Sequence, residues 1–356
     1  CLCVCVVDIM ARKRPSNMLS RLHVLYLTLT ATIVLDLIVA TSAQTSDCPA
    51  TIDECGCRRK FGYRFILYCE RLGHIDAVPP FKMSERLYDE FYITEKTILD
   101  KLQADAFHGI RVEKIRLLQL GIEKVDVFAF RGLHNSLKEI HMDENNIQDI
   151  KQGTFSQLGK VTYVGIQSNN LATITAGMFD GLSSVRYLFL IHNKLHTLHE
   201  YAFVGLSQLT GLHMQYNEIR ELPARLFADL YNLNELELND NHLQTLPAGL
   251  FDVTIDITRI VLYNNEIESL PGGLFDNCVR LVHLDLSNNK LGDLPDDLFA
   301  NMHELLRLRL GGNRIKTLQA SAFQAMTKLE SLYLHENRIS ILPDGIFASL
   351  GNLDSL

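Results

Sequence analysis

Apolar residues recur along this chain with a fixed step of 24 residues, seen most plainly in Leu281-Val-His-Leu-Asp-Leu-Ser-Asn-Asn-Lys-Leu291. Read as L-x-x-L-x-L-x-x-N-x-L, the frame begins at Leu137, Val161, Val185, Leu209, Leu233, Ile257, Leu281, Leu305 and Leu329. A phenylalanine column keeps the same step from Phe155 through Phe251 to Phe347, and an asparagine column from Asn145 through Asn241 to Asn337. Three columns held in register over nine turns define a repeat. The L-x-L core alternates apolar and polar, which predicts a short strand with one buried face. No single turn can bury that face alone, so the turns must stack.

Each column has its own physical task. The leucine-type residues point inward between turns, and the stacked strands form a parallel sheet on the concave side of a horseshoe. The asparagine sits where the chain leaves the strand. Its amide can bond backbone groups of its own and neighbouring turns that burial would otherwise leave unpaired. The phenylalanines are expected to stack as a spine beneath the convex side. Five of the nine prolines, Pro223, Pro247, Pro271, Pro295 and Pro343, follow the fourth core leucine-type position. Proline there ends the turn and favours an extended convex segment over a helix. The expected fold is an α/β solenoid: a horseshoe with a parallel concave sheet, an irregular convex side and a disulfide N-terminal cap.

Residues 1–43 read as a leader and secretory signal. Arg12-Lys-Arg14 and Arg21 are basic, Val24 to Leu35 is apolar, and Thr41-Ser-Ala43 supplies small residues before Gln44. Met10 or Met18 is the expected start, with Cys1 to Ile9 as upstream translation. Asp36, inside the apolar stretch, argues against an uncleaved anchor. Residues 44–87 carry Cys48, Cys55, Cys57 and Cys69. Directly after a signal, they read as a disulfide module closing the apolar end of the first turn. Their spacing allows three pairings and does not suit zinc. Residues 88–356 form the array. Its first turn uses Phe91, Ile93, Leu102 and Phe107. In the second, Leu120 replaces asparagine, and the join to Leu137 is one residue longer than later joins. The chain stops at Leu356 inside a tenth frame. A truncated array is therefore expected, with membrane attachment left to any sequence beyond Leu356.

The net charge is −8, and the leader contributes +2, leaving an acidic body of about −10. That disfavours nucleic acid as the main partner. A search for catalytic chemistry turns up little. Gly153 to Lys160 has phosphate-loop character but is one residue too long, with Val161 where Ser or Thr belongs. Neither G-x-S-x-G nor H-E-x-x-H occurs. His192, His196 and His199 leave the strand in different directions. Cys278 and Thr254 fall in a column otherwise held by larger apolar residues, so Cys278 reads as a small buried side chain. No catalytic residue, metal site or cofactor is expected, and the chain does not read as an enzyme.

The outward surface is more informative. The frame's third, fifth, seventh and eighth residues face out of the sheet, and strands about 4.8 Å apart turn them into a grid. Tyr163, Tyr187, Phe189, Ile191, His192, His213 and Tyr216 cluster on three adjacent strands. The next strand supplies Glu235, Glu237 and Asp240, followed by Arg259 and Tyr263, His283 and Asp285, and then Arg307 and Arg309. Clustered exposed aromatics mark a hot spot. Aromatic, acidic and basic zones along one curved face suit a protein ligand of unassigned identity better than a small molecule.

The 24-residue frame with L-P-x-x-x-F, after a signal and a C-P…C-x-C…C cap, resembles extracellular leucine-rich repeat proteins such as Slit, chaoptin, Toll-type ectodomains and the acid-labile subunit. The resemblance covers Cys48 to Leu356. It implies the bonds Cys48–Cys57 and Cys55–Cys69. It also implies a secreted or cell-surface binding module: an extracellular matrix or adhesion component, or a receptor ectodomain. The irregular opening, with Phe91-Tyr-Ile93, Ala106-Phe107-His-Gly109 and the Leu137-Lys-Glu-Ile140…Asn145 restart, is similar to arthropod secreted proteins. These are labelled after the non-catalytic subunit of a shrimp luciferase, the luciferin monooxygenase. That likeness implies a non-enzymatic partner subunit.

Overall fold

The computed structural model describes residues 55–60, 64–69, 72–79, 81, 86–93 and 97–356. The chain divides into Cys1–Cys48 and Pro49–Leu356. The first unit, with the expected leader and signal, lies outside the described residues.

Alternation of inward and outward residues builds one 13-stranded sheet, running from Cys55–Lys60 to Ser331–Tyr333. Its first two strands, Cys55–Lys60 and Arg64–Cys69, are antiparallel. From Arg64–Cys69 onward, neighbours are parallel. The register follows the repeat, with Leu188 beside Leu212, Leu212 beside Leu236 and Leu284 beside Leu308. Leu286 and Leu310 continue the ladder just past their strands, their amides donating to Arg309 O and Tyr333 O at 2.9 Å. The sheet passes unbroken from the cysteine-rich segment into Leu87–Ile93, so cap and array share one core.

That core is dry. The first, fourth and sixth frame residues of the Leu209 turn, Leu209, Leu212 and Met214, are fully buried. Truncating such a leucine to alanine costs about 2–5 kcal/mol. The return segments are tight turns and two-residue strands such as Thr173–Ile174 and Thr197–Leu198, with no helix among the described residues. The proline carbonyls open these turns: Pro223 O accepts from Leu226 N at 3.0 Å, and Pro295 O from Leu298 N at 3.2 Å. Beneath them the phenylalanines stack. Phe107–Phe130, Phe155–Phe179 and Phe251–Phe275 have centroid separations of 5.8, 6.3 and 5.6 Å.

The asparagine column closes the backbone account. Asn241 Oδ1 accepts from Ile219 N of the preceding turn at 3.0 Å, and its Nδ2 donates to Met214 O, Leu238 O and Asn239 O at 3.0, 3.0 and 3.3 Å. Asn145 serves the turn that lacks its own asparagine, accepting from both Leu120 N and Ile122 N. The residue before each asparagine is left-handed, as in His192 (φ 52°), Tyr216 (φ 58°) and Asp240 (φ 55°). That conformation costs a residue with a side chain roughly 1–2 kcal/mol, which the amide's four bonds offset. The longer join before Leu137 is taken up by Leu133 O, which accepts from both Ser136 N and Leu137 N at 3.0 Å.

Cys55 and Cys69 stand opposite one another across the antiparallel pair and form a disulfide. Cys57 is disulfide-bonded as well. The Cys48–Cys57 pairing involves a residue outside the described ones. Cys278 is a free, buried thiol in the expected column, pushed up to about 12 by burial. Its column neighbour Thr254 satisfies its own buried hydroxyl by donating to Phe251 O at 3.1 Å.

Candidate interaction surface

Because Leu188 points into the core, Tyr187 and Phe189 must point out, and the same holds one turn to either side. Tyr187 and Tyr216 are 45% and 43% exposed. Tyr163, Phe189 and Ile191 are half-buried, and His213 is buried. The structure shows why. His141, Tyr163, Phe189 and His213 form a continuous ladder across the strands, with successive centroids 4.4, 5.1 and 4.4 Å apart. Phe189 lies within 3° of parallel to His213, which is how it covers that ring. A second stack lies at the strand exits, where the left-handed residues His192 and Tyr216 sit 4.3 Å apart.

Two glycines make this packing possible. Gly165 and Gly211 hold outward positions where the other turns carry side chains. A Cβ at Gly165 would stand 2.8 Å from Asp143 Oδ1 and 3.3 Å from the Tyr163 ring. A Cβ at Gly211 would stand 2.8 Å from the Tyr187 ring. Each tyrosine therefore leans into the space that its neighbouring glycine leaves. His141, Gly165 and Gly211 were not singled out from the sequence. Their signal was there, since all three occupy outward frame positions, but a glycine in a grid of side chains reads as a gap rather than a contact.

Carboxylates flank the ladder. His141 Nε2 lies 3.1 Å from Glu139, and His213 Nδ1 lies 3.5 Å from Glu237. The His213 hydrogen bond, with Arg259 adding to it, holds the Glu237 carboxyl below its usual range. Beside Tyr163, burial pushes Asp143 up to about 6, against a hydrogen bond from Gln167 N at 3.1 Å. Tyr263 is pushed up to about 12 by burial and by Asp240, with Tyr216 hydrogen-bonded to it.

The acidic and basic zones do not stand apart as the sequence suggested. Arg259 reaches back to Glu235 at 3.0 Å and Glu237 at 3.3 Å, and Arg309 pairs with Asp285 at 3.2 Å. Both arginines are partly neutralised. Arg307 is exposed and has no carboxylate partner among the described residues. Between these strands His283 is buried, and burial with the surrounding arginines lowers it to about 4.

The other histidines are dispersed. His192 stacks on Tyr216, His196 Nδ1 lies 2.9 Å from Thr197 Oγ1, and His199 Nδ1 accepts from Tyr201 N at 3.1 Å. Among the described residues no group of three His, Cys, Asp or Glu side chains is arranged to hold a metal ion.

Residues 160–219, 208–253, 256–315 and 304–356, together more than half of the chain, match the family described as leucine rich repeat. No curated protein matches the chain. Among solved structures, the TLR13–ssRNA13 complex aligns at 24% identity and TM-score 0.69, covering 76% of this chain and 39% of that one. The Toll–Spatzle complex, described as a molecular hub in Drosophila development and innate immunity, aligns at 25% and TM-score 0.59, covering 82% and 44%. The octameric complex of Latrophilin 3, Unc5D and the leucine-rich repeats of FLRT2 aligns at 22% and TM-score 0.54, covering 79% and 88%. The chain spans less than half the length of the first two.

Proposed function

The chain belongs to the leucine-rich repeat family, and from that membership we propose that it is a non-enzymatic extracellular module that binds another protein through the concave face between Tyr163 and Tyr216. One observation carries the reading: three adjacent strands present stacked, partly exposed rings, with no Asp, Glu, Lys or Arg at their outward positions. Rings already held by stacking have little freedom left to lose on binding, and such anchors dominate protein interfaces. Acids on both sides, Glu139 and Asp143 before and Glu237 and Asp240 after, favour a protein over a nucleic acid.

The likeness to Toll in its Spatzle complex supports a binding or receptor-ectodomain role. The Cys55–Cys69 disulfide supports an oxidising, extracellular compartment. A matrix or adhesion component, a receptor ectodomain and the non-catalytic subunit of a secreted enzyme complex are alternative settings for the same surface. The test is to capture partners from extracellular fluid with the array and remeasure affinity after replacing Tyr187, Phe189 and Tyr216 by alanine. Binding should weaken by more than about tenfold, or ~1.4 kcal/mol, with the fold intact. Unchanged affinity rejects the surface.

A further inference from the structure

A cleft of about 540 Å³ opens beside the ring ladder, where the chain enters the strands, and crosses several turns from Arg186 to Arg280. Gly211 is the only glycine at the third frame position in the nine regular turns. Tyr187 and Glu235, on the strands to either side of it, line the cleft. One edge of the Tyr187 ring leans onto Gly211, and the residue remains 45% exposed.

The other lining residues are polar or charged, and Asn232, Asn234 and Thr258 are already oriented. Asn234 Nδ2 donates to Asp256 O at 3.0 Å, and Thr258 Oγ1 donates to Asn234 Oδ1 at 2.9 Å. Asn232 Nδ2 donates to Ser207 O at 2.6 Å, which leaves its carbonyl oxygen as an acceptor. The charges cancel: Arg186 and Arg280 face Glu235 and Asp256, with Arg280 bound to Asp256 at 2.6 Å and Glu235 bound to Arg259 at 3.0 Å. A polyanion gains nothing from such a lining. An extended peptide finds no free strand edge, because Thr210 O and Asn234 O already accept from the next turn. An apolar ligand finds one ring among amides, hydroxyls and charges.

We propose that this cleft binds a short neutral oligosaccharide. A pyranose ring has a C–H face and a rim of hydroxyls, each of which both donates and accepts. The face suits the exposed tyrosine ring, whose negative π surface attracts polarised C–H groups. The rim suits side-chain amides, which carry a donor and an acceptor in one plane. Side chains fixed by their own hydrogen bonds lose little freedom when the sugar arrives. Tyr187 and Gly211 are shared with the protein-binding face; Asn232 and Asn234 are not part of it.

A glycan array carrying neutral, sialylated and sulfated oligosaccharides, probed with the full chain, tests this. The best-bound oligosaccharide is then titrated calorimetrically. Neutral glycans should bind in preference to charged ones. Tyr187→Ala, Asn234→Ala and Gly211→Ala should each weaken binding by about tenfold or more, the last by displacing the ring rather than removing it. Tyr216→Ala should leave glycan binding within about twofold, which separates this cleft from the protein-binding face. If Gly211→Ala disturbs the fold, Asn234→Ala, on the exposed wall, carries the test. Preference for sulfated or sialylated glycans, indifference to both Tyr187→Ala and Asn234→Ala, or no glycan bound across the array would overturn the proposal.

Discussion

Two stretches of the sheet share one backbone and differ in what they do with their outward residues. Between Tyr163 and Tyr216 those residues include no Asp, Glu, Lys or Arg, and their rings pack on each other. Between Glu235 and Arg309 many are charged, and Arg259 and Arg309 pair with carboxylates across neighbouring strands. The inward columns are the same in both. The frame is therefore carried by Leu, Asn and Phe alone, and the face is free to vary.

The comparison breaks most visibly if the frame is not shared. Asn217 and Asn265 make the same four bonds, one in each stretch. Replacing either by alanine strands a buried N–H and weakens three carbonyls, at about 1–3 kcal/mol per unsatisfied group. Each substitution should cost about 3 kcal/mol or more in denaturant unfolding, and the two should agree within about 1 kcal/mol despite their different faces. A large effect in one stretch alone would show that the faces contribute to the frame.

Acidity should separate the stretches next. Burial raises Asp143 to about 6 from an ordinary 3.8, so its folded form holds a proton that the unfolded form has released. That contribution is present at low pH and is lost as pH rises from about 4 through 6. Burial lowers His283 to about 4 from 6.5, so its contribution is present above pH 6.5 and is lost as pH falls toward 4. Amide protection factors, corrected for the base-catalysed intrinsic rate, should therefore fall at Tyr163–Gly165 and rise at His283–Asp285 as pH rises across this window. Asp143→Asn should remove the first trend and add up to about 3 kcal/mol of stability above pH 6. Parallel trends in the two strands would contradict both assignments.

Smaller effects sharpen the picture. Gly165→Ala must displace Tyr163 or Asp143, since its Cβ would meet them. It should cost about 1–3 kcal/mol as overpacking, read as a lower unfolding midpoint. Arg259→Ala removes two partly exposed ion pairs, to Glu235 and Glu237, from the charged stretch and should change stability by no more than about 1 kcal/mol. A larger loss there would mean that the charged face supports the sheet.

The three inward columns were legible from the sequence because buried positions tolerate few residue types and recur every 24 residues. The identity of the outward positions was legible too, since alternation assigns them. Their contacts were not. Arg259 pairing back onto Glu235 and Glu237, His213 sliding under Phe189, and Tyr187 leaning over Gly211 all depend on side-chain rotamers between strands, which no one-strand pattern encodes. The cleft was invisible for the same reason: its lining is assembled from the strand entries of several turns.

The most direct measurement is an amide-exchange footprint of the array with a captured protein partner bound. The concave reading predicts slowed exchange in peptides containing Tyr163–Gly165, Tyr187–Phe189 and Gly211–His213, with the adjoining convex turns unchanged. Protection confined to the convex turns, or spread evenly along the solenoid, would contradict it.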